Sequence, residues 1–216
     1  MIDFELETMI SQQLVGRGVT DQRVLTAFRQ VPRKQFAPEY LESKAYSDGE
    51  LPIGLGQTIS SPYVMARMLQ EVRLPENGRV LEIGTGSGFQ AALLSKLVKT
   101  VYTVEVQPEL AARARKMLVD IMGIQNVHFH VGDGFYGWSD QAPFDAIIVN
   151  GSAFEVPEPL IGQLRPGARL VMPIGETDQQ LYIVDQTEDG EVETSVLPAS
   201  EFKASLLMLQ SESEDF

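Results

Sequence analysis

Apolar residues in the first part of the chain recur at helical spacing. Leu6, Met9, Ile10 and Leu14 lie three or four apart, which puts them on one face of a helix over 3–16. Val24, Leu25, Phe28 and Val31 repeat the pattern over 21–31, with Thr20 the expected N-cap. Ser61-Pro62 reads as an N-cap followed by proline at the first helical position. Val64, Met65, Met68 and Leu69 continue that helix. From residue 79 the pattern changes. RVLEI, TVYTVE, VHFHV and FDAIIV are short runs rich in β-branched and apolar residues, and segments 87–97 and 108–121 between the first three are helical. Strands alternating with helices predict a mostly parallel sheet covered on both faces. Beyond residue 155, GQLRPGARLVMPIG, QLYIVDQ, EVETSVL and FKASLLML read as strands joined by short turns. The expectation is a single domain over 1–210. Within it, a helical cap and a loop occupy 1–75, and an α/β core occupies 76–210. SESEDF, 211–216, is a solvated acidic tail.

Composition narrows the class. The chain of 216 residues is 44% hydrophobic and 22% charged, enough for one sizeable core. No apolar run approaches the roughly 18 residues of a membrane helix. The start, MIDFELETMISQQ, is acidic and amphipathic and lacks the basic and apolar regions of a signal peptide. The cytoplasm is the expected compartment, with no membrane partner. No cysteine is present, which excludes disulfides, thiolate catalysis and zinc-cysteine sites. Lys plus Arg number 17 against 30 Asp plus Glu, a net charge of -13. That balance argues against a nucleic-acid partner, whose phosphates would be repelled at long range. It leaves an extended polypeptide open as a partner, and a monomer is expected.

Candidate chemistry begins at VLEIGTGSGFQ. A strand ends at Ile83, and Gly84, Gly86 and Gly88 turn the chain into a helix. Such glycines let backbone approach a ligand, and the helix start offers free N–H groups. The third glycine comes one residue too early for a dinucleotide fingerprint, and no Gly-Lys-Ser/Thr marks a phosphate loop. Glu82, just before the loop, is expected near the ligand, where it would repel pyrophosphate and suit a cation. Glu105 lies 21 residues after Gly84 (105 minus 84) and ends the second strand. A carboxylate there can accept both hydroxyls of a ribose. The third strand ends in Gly132-Asp133-Gly134, where Asp133 can accept from an adenine amino group and the next N–H can donate to a ring nitrogen. The fourth strand starts at Asp145. This ordered set describes S-adenosylmethionine on a doubly wound, seven-stranded class I methyltransferase sheet. Thr85, Val106 and Gly134 complete the expected donor site with Glu82, Gly84, Gly86, Gly88, Glu105 and Asp133.

The stretch LPIGLGQTISSPY, 51–63, is uncharged and rich in glycine, proline and hydroxyls. Its hydroxyls at Thr58, Ser60 and Ser61 precede the next helix, and Ser61 is assigned to capping it.

The combination VPRKQF, LPIGLGQTISSPY, VLEIGTGSGFQAALL, VGDG and PFDAIIV resembles the protein-L-isoaspartate O-methyltransferase family. The likeness runs from about residue 10 to about 175. It implies carboxyl methylation of isoaspartyl residues in damaged polypeptides, a repair activity. It also implies that Leu51–Tyr63 covers the donor and holds the acceptor carboxylate. That carboxylate is already ionised at neutral pH, so it requires aim and exclusion of water but no general base. A hydroxyl and backbone N–H groups can hold it without adding a competing charge. Ser60 becomes the catalytic candidate, with Ile53, Gly54, Gln57, Thr58, Ile59 and Phe202 binding substrate. Two segments depart from the family. NGSAFEVP, with Asn150, Gly151 and Phe154, replaces a run of the type TAA-P-EIP. Phe202-Lys203-Ala204-Ser205-Leu206 replaces a strand of the type FVPL, with Lys203 inserted. These changes keep another peptide or small-molecule carboxylate open as acceptor; donor binding without catalysis is a further alternative, which the complete donor set disfavours. His128 and His130 share one strand face, but no third ligand has a suggestive spacing, so they are assigned to packing and no metal is expected. Trp138 is assigned to packing near the adenine side, and Met65 and Met68 to the core.

Overall fold

The computed structural model describes residues 3–197 and Phe202. The first helix, α1 (Phe4–Thr8), is capped by the Asp3 carboxylate, which accepts from the N–H groups of Glu5 and Leu6. It runs on through a wide π-type turn, Met9–Leu14. The second helix, α2 (Gln22–Gln30), is capped by Asp21 and not by Thr20. Asp21 takes extended backbone angles, and its carboxylate accepts from Arg23 and Val24 N–H. The N–H groups of Thr20 and Asp21 instead donate to Gln70 Oε1. An antiparallel hairpin follows, β1 (Leu51–Gly54) and β2 (Gln57–Ile59). Then α3 (Pro62–Glu71) starts as predicted, with Ser61 Oγ accepting from Val64 N–H and Pro62 in the first turn.

The main sheet is built from β3 (Arg79–Ile83), β4 (Thr100–Glu105), β5 (Val127–Val131), β6 (Phe144–Val149), β7 (Leu164–Ile174), β8 (Gln180–Gln186) and β9 (Val192–Leu197). Helices α4 (Phe89–Leu97) and α5 (Pro108–Arg115) join the first three strands, and α6 (Glu158–Ile161) precedes β7. A second π-type turn, Lys116–Ile121, extends α5. The strand order is β5-β4-β3-β6-β7-β8-β9. Pairing is parallel from β5 across to β7, and β8 and β9 return antiparallel. The four strands read from RVLEI, TVYTVE, VHFHV and FDAIIV lie at their expected positions. Of the predicted FKASLLML strand, only Phe202 falls within the described residues; Lys203 and the acidic tail lie outside them.

Chain order reverses between β3 and β6, so their carboxyl ends form the switch point where open α/β sheets bind ligands. The strand period of two sorts the core. Val80, Val101, Ala146 and Ile148 join the apolar cluster of the N-terminal helices, α3 and α4. Leu81, Ile83, Val104, Ile147 and Val149 join the cluster on the other face with Leu160 of α6. Glu82, Thr103 and Asn150 fall by the same alternation on the face of the N-terminal helices. Glu82 pairs across with Thr103 and Ile148.

Candidate active site

A cavity opens at the switch point. Its floor is the glycine loop from Ile83 to Ser87, together with Phe89, Gln90, Asn150 and Gly151. Val104, Glu105, Val106, Asp133 and Gly134 extend it along the sheet edge, and Gln57, Thr58, Ile59, Ser60 and Met65 close it from above. The titratable groups on this wall are Glu105 and Asp133.

The floor is held by side-chain hydrogen bonds. Glu105 is 5% exposed; one carboxylate oxygen accepts from Gly86 N–H at 2.8 Å and the other from Gln107 N–H at 3.0 Å. Its position thus fixes the glycine loop while its edge faces the cavity. Asp133 accepts from Phe135 N–H at 2.8 Å. Gly84 and Gly86 have φ of 87° and 54°, left-handed values that glycine adopts without strain. Thr85 Oγ1 lies 2.6 Å from Thr103 Oγ1.

Glu82 differs from its expected place. It is fully buried and does not line the cavity. Thr103 Oγ1 donates to it at 2.6 Å and Asn150 Nδ2 at 3.1 Å. Burial pushes its carboxyl up to about 8, so near neutral pH it is mostly protonated and offers a cation little. Gly88 also departs from expectation. It is the N-cap of α4, and a Cβ there would lie 2.4 Å from Leu118 Cδ1. Its role is close packing of α4 against the turn after α5.

The roof is held by arginines. Arg33, from the VPRKQF segment, is fully buried. Its guanidinium donates to the carbonyls of Ala45 at 2.6 Å, Gly49 at 3.1 Å, Ile59 at 3.3 Å and Ser60 at 2.8 Å. Burial lowers its pKa to about 10, so it remains a cation at neutral pH. Arg113 of α5 donates to the Ile53 carbonyl at 3.2 Å and ties the hairpin to the donor half. Ile53 Cδ1 lies 3.6 Å from where a Gly86 Cβ would stand, so the hairpin sits over the glycine loop. Ile53 and Gly54 lie outside the cavity wall, and Gly54 makes the turn with φ 87°. Phe202 is fully buried in the core and is likewise absent from the wall. Ser60 lines the cavity at 8% exposure. The Ser61 hydroxyl is committed to its cap.

The family model for protein-L-isoaspartate(D-aspartate) O-methyltransferase matches residues 5–204. The chain belongs to the protein-L-isoaspartate O-methyltransferase family. It is 47% identical over 191 residues to the protein-L-isoaspartate O-methyltransferase of a Picosynechococcus strain, covering 88% of this chain and 86% of the relative. It is 49% identical over 195 residues to the corresponding Petrotoga mobilis enzyme, covering 88% and 91%. A solved protein-L-isoaspartate O-methyltransferase superposes with a TM-score of 0.80 at 29% identity, over 95% of this chain and 66% of that one. A Plasmodium falciparum chain solved with S-adenosyl-L-homocysteine shares the fold, with a TM-score of 0.79 at 24% identity, over 94% of this chain and 97% of that one. The predicted class I methyltransferase fold and dependence on S-adenosylmethionine therefore stand.

Gln90, Met65 and Asn150 line the cavity, and no sequence motif marks any of them as a cavity residue. Asn150 sits at the floor: its Nδ2 donates to Glu82 and to the Gly84 carbonyl, and its Oδ1 accepts from Gln90. Position 150, two residues beyond Ile148 on the same face, was the available signal. His128 and His130 stack on Tyr102 and Trp138, at centroid distances of 5.1 and 4.8 Å. Trp138 packs there and does not line the cavity. Met68 is core, as expected. Asp145, at the opposite end of β6, accepts from Arg79 N–H and pairs with Arg165.

Proposed function

We propose that the cavity methylates the free α-carboxylate of L-isoaspartyl residues, with Ser60 positioning the acceptor oxygen. The observation that carries this assignment is that one cavity is walled by both Gln57–Ser60 and the Gly84–Ser87, Glu105 and Asp133 set. S-adenosylmethionine, when bound, supplies a methyl group made electrophilic by the sulfonium. Glu105 suits its ribose hydroxyls, Asp133 and Gly134 suit its adenine, and the glycine loop admits its backbone-hugging chain. The fit rests on a buried carboxylate facing the cavity and on left-handed glycines that allow close approach.

The acceptor arrives ionised, so no wall residue has to remove a proton. That matches a wall without a histidine or lysine among its described residues. Ser60 and nearby backbone N–H groups offer neutral hydrogen bonds to one oxygen and leave the other free to attack. Behind them, the Arg33 guanidinium bonds the Ser60 carbonyl and polarises that peptide unit. The chain's net charge of -13 disfavours an acidic substrate at long range; the buried cation offsets this locally. Discrimination against ordinary aspartate is geometric, because both acceptors carry the same charge. A carboxylate displaced by one carbon misses the approach of about 3–3.5 Å that transfer needs. The neighbouring backbone nitrogen then attacks the ester carbonyl unaided: the C–N bond of a succinimide forms, the C–O bond to methoxide breaks, and methanol departs with the nitrogen's proton. Methoxide is a far better leaving group than the oxide of a free carboxylate.

Asn150 bears on the alternative acceptors. Its side chain points to Glu82, Gly84 and Gln90, so it shapes the donor floor and not the acceptor side. The test is labelled donor with paired peptides that differ only in isoaspartate or aspartate. Label in the isoaspartyl peptide alone is expected. Donor binding without transfer to either peptide would overturn the assignment.

A further inference from the structure

The hydrogen bonds around Asn150 fix one orphan atom. The Gly84 carbonyl can only accept, so the Asn150 atom bonded to it at 3.1 Å must be Nδ2. The opposite atom, Oδ1, then accepts, and it lies 2.7 Å from Gln90 Nε2. Gln90 therefore presents Oε1 on its other side. That oxygen is buried and has no hydrogen-bond partner among the described residues. Gln90 is 3% exposed and lines the cavity. A buried carbonyl left without a donor is disfavoured unless a ligand supplies one.

The sheet order says which donor. Asp133 ends β5, Glu105 ends β4, the glycine loop follows β3, and Asn150 follows β6. A methyl donor with adenine at Asp133 and ribose at Glu105 extends its amino-acid end across the glycine loop toward Asn150 and Gln90. We infer that Gln90 Oε1 is the acceptor for the primary ammonium of that amino-acid end, held in aim by Asn150. This rests on the methyl-donor reading above. An amide carbonyl oxygen can only accept, so it suits the N–H donors of an ammonium and binds it without a full salt bridge.

Two probes separate the ends of the donor: S-adenosylhomocysteine, and 5′-methylthioadenosine, which has the same nucleoside and thioether but no amino-acid part. Calorimetry on Gln90→Met should show S-adenosylhomocysteine weakened by about tenfold to a hundredfold. Methylthioadenosine affinity should stay within about twofold, which also reports an intact site. Gln90→Glu should recover most of the loss, because a carboxylate also accepts from an ammonium. Should Gln90→Met fail to fold, Asn150→Ala keeps the test: it frees the carboxamide to turn and should weaken S-adenosylhomocysteine selectively. Unchanged S-adenosylhomocysteine affinity, or equal losses for both probes, would overturn the inference while leaving the methyl-donor reading intact. A wild-type protein that binds neither probe would overturn both.

Discussion

The floor and roof of the cavity are fixed in opposite ways. The floor is set by sheet register, and its side chains bond to one another and to loop N–H groups: Glu105 to Gly86, Asn150 to Glu82 and Gly84, Gln90 to Asn150. The roof has no such register with the sheet. Two arginines grip its carbonyls, Arg33 from behind at Ile59 and Ser60, and Arg113 from α5 at Ile53. A floor built on strand ends presents carboxylates at fixed spacing, which suits a ligand of constant shape. A roof gripped through its backbone presents neutral side chains, Ser60 among them, which suits a carboxylate in varied peptides.

The largest expected effect tests the roof. Arg33→Met leaves four carbonyls without their donor, two of them in the loop. It should cost about 3 kcal/mol or more of stability, measured by urea unfolding. A loss under about 1 kcal/mol would mean that the loop holds itself. The floor should respond in affinity instead. Glu105→Ala should weaken S-adenosylhomocysteine by about 1–3 kcal/mol in calorimetry, through the lost ligand contact and the released Gly86 N–H. Unaltered affinity would remove Glu105 from the donor site.

A third test reads by pH the carboxyl buried beneath the floor. Burial raises Glu82 to about 8, whereas an unfolded glutamate titrates at about 4.3. Between those values the folded state holds a proton that the unfolded state has released. Stability from this group is therefore greatest below the unfolded value and falls as pH rises toward the folded one. Glu82→Gln should lose less stability than wild type between about pH 5 and about pH 8, in paired urea titrations. Parallel pH profiles would place Glu82 in contact with solvent.

This contrast also explains what the sequence disclosed. Strands, switch point and the carboxylates at 105 and 133 follow from alternation and spacing. Glu82 was misjudged because alternation gives its face and not its depth. It pairs with Thr103, two residues before Glu105, which sets it about 6–7 Å below the sheet edge. Gly88 looked like a ligand glycine because a glycine needed for packing against Leu118 leaves the same letter. Asn150 and Gln90 carry no motif of their own; only the register brings them together. The roof was readable through resemblance alone, since nothing local in Arg33 or Arg113 announces carbonyls tens of residues away. Phe202 was expected at substrate and lies in the core, where an apolar residue at a strand-like position gives no sign of which side it faces.

The central claim is that the roof serves the acceptor and the floor serves the donor. Ser60→Ala tests it most directly, with kcat on an isoaspartyl peptide and S-adenosylhomocysteine affinity measured on the same protein. The account predicts that kcat falls on the order of tenfold to a thousandfold while donor affinity is unchanged. Equal losses in both would contradict it, by showing that Ser60 only shapes the loop over the donor.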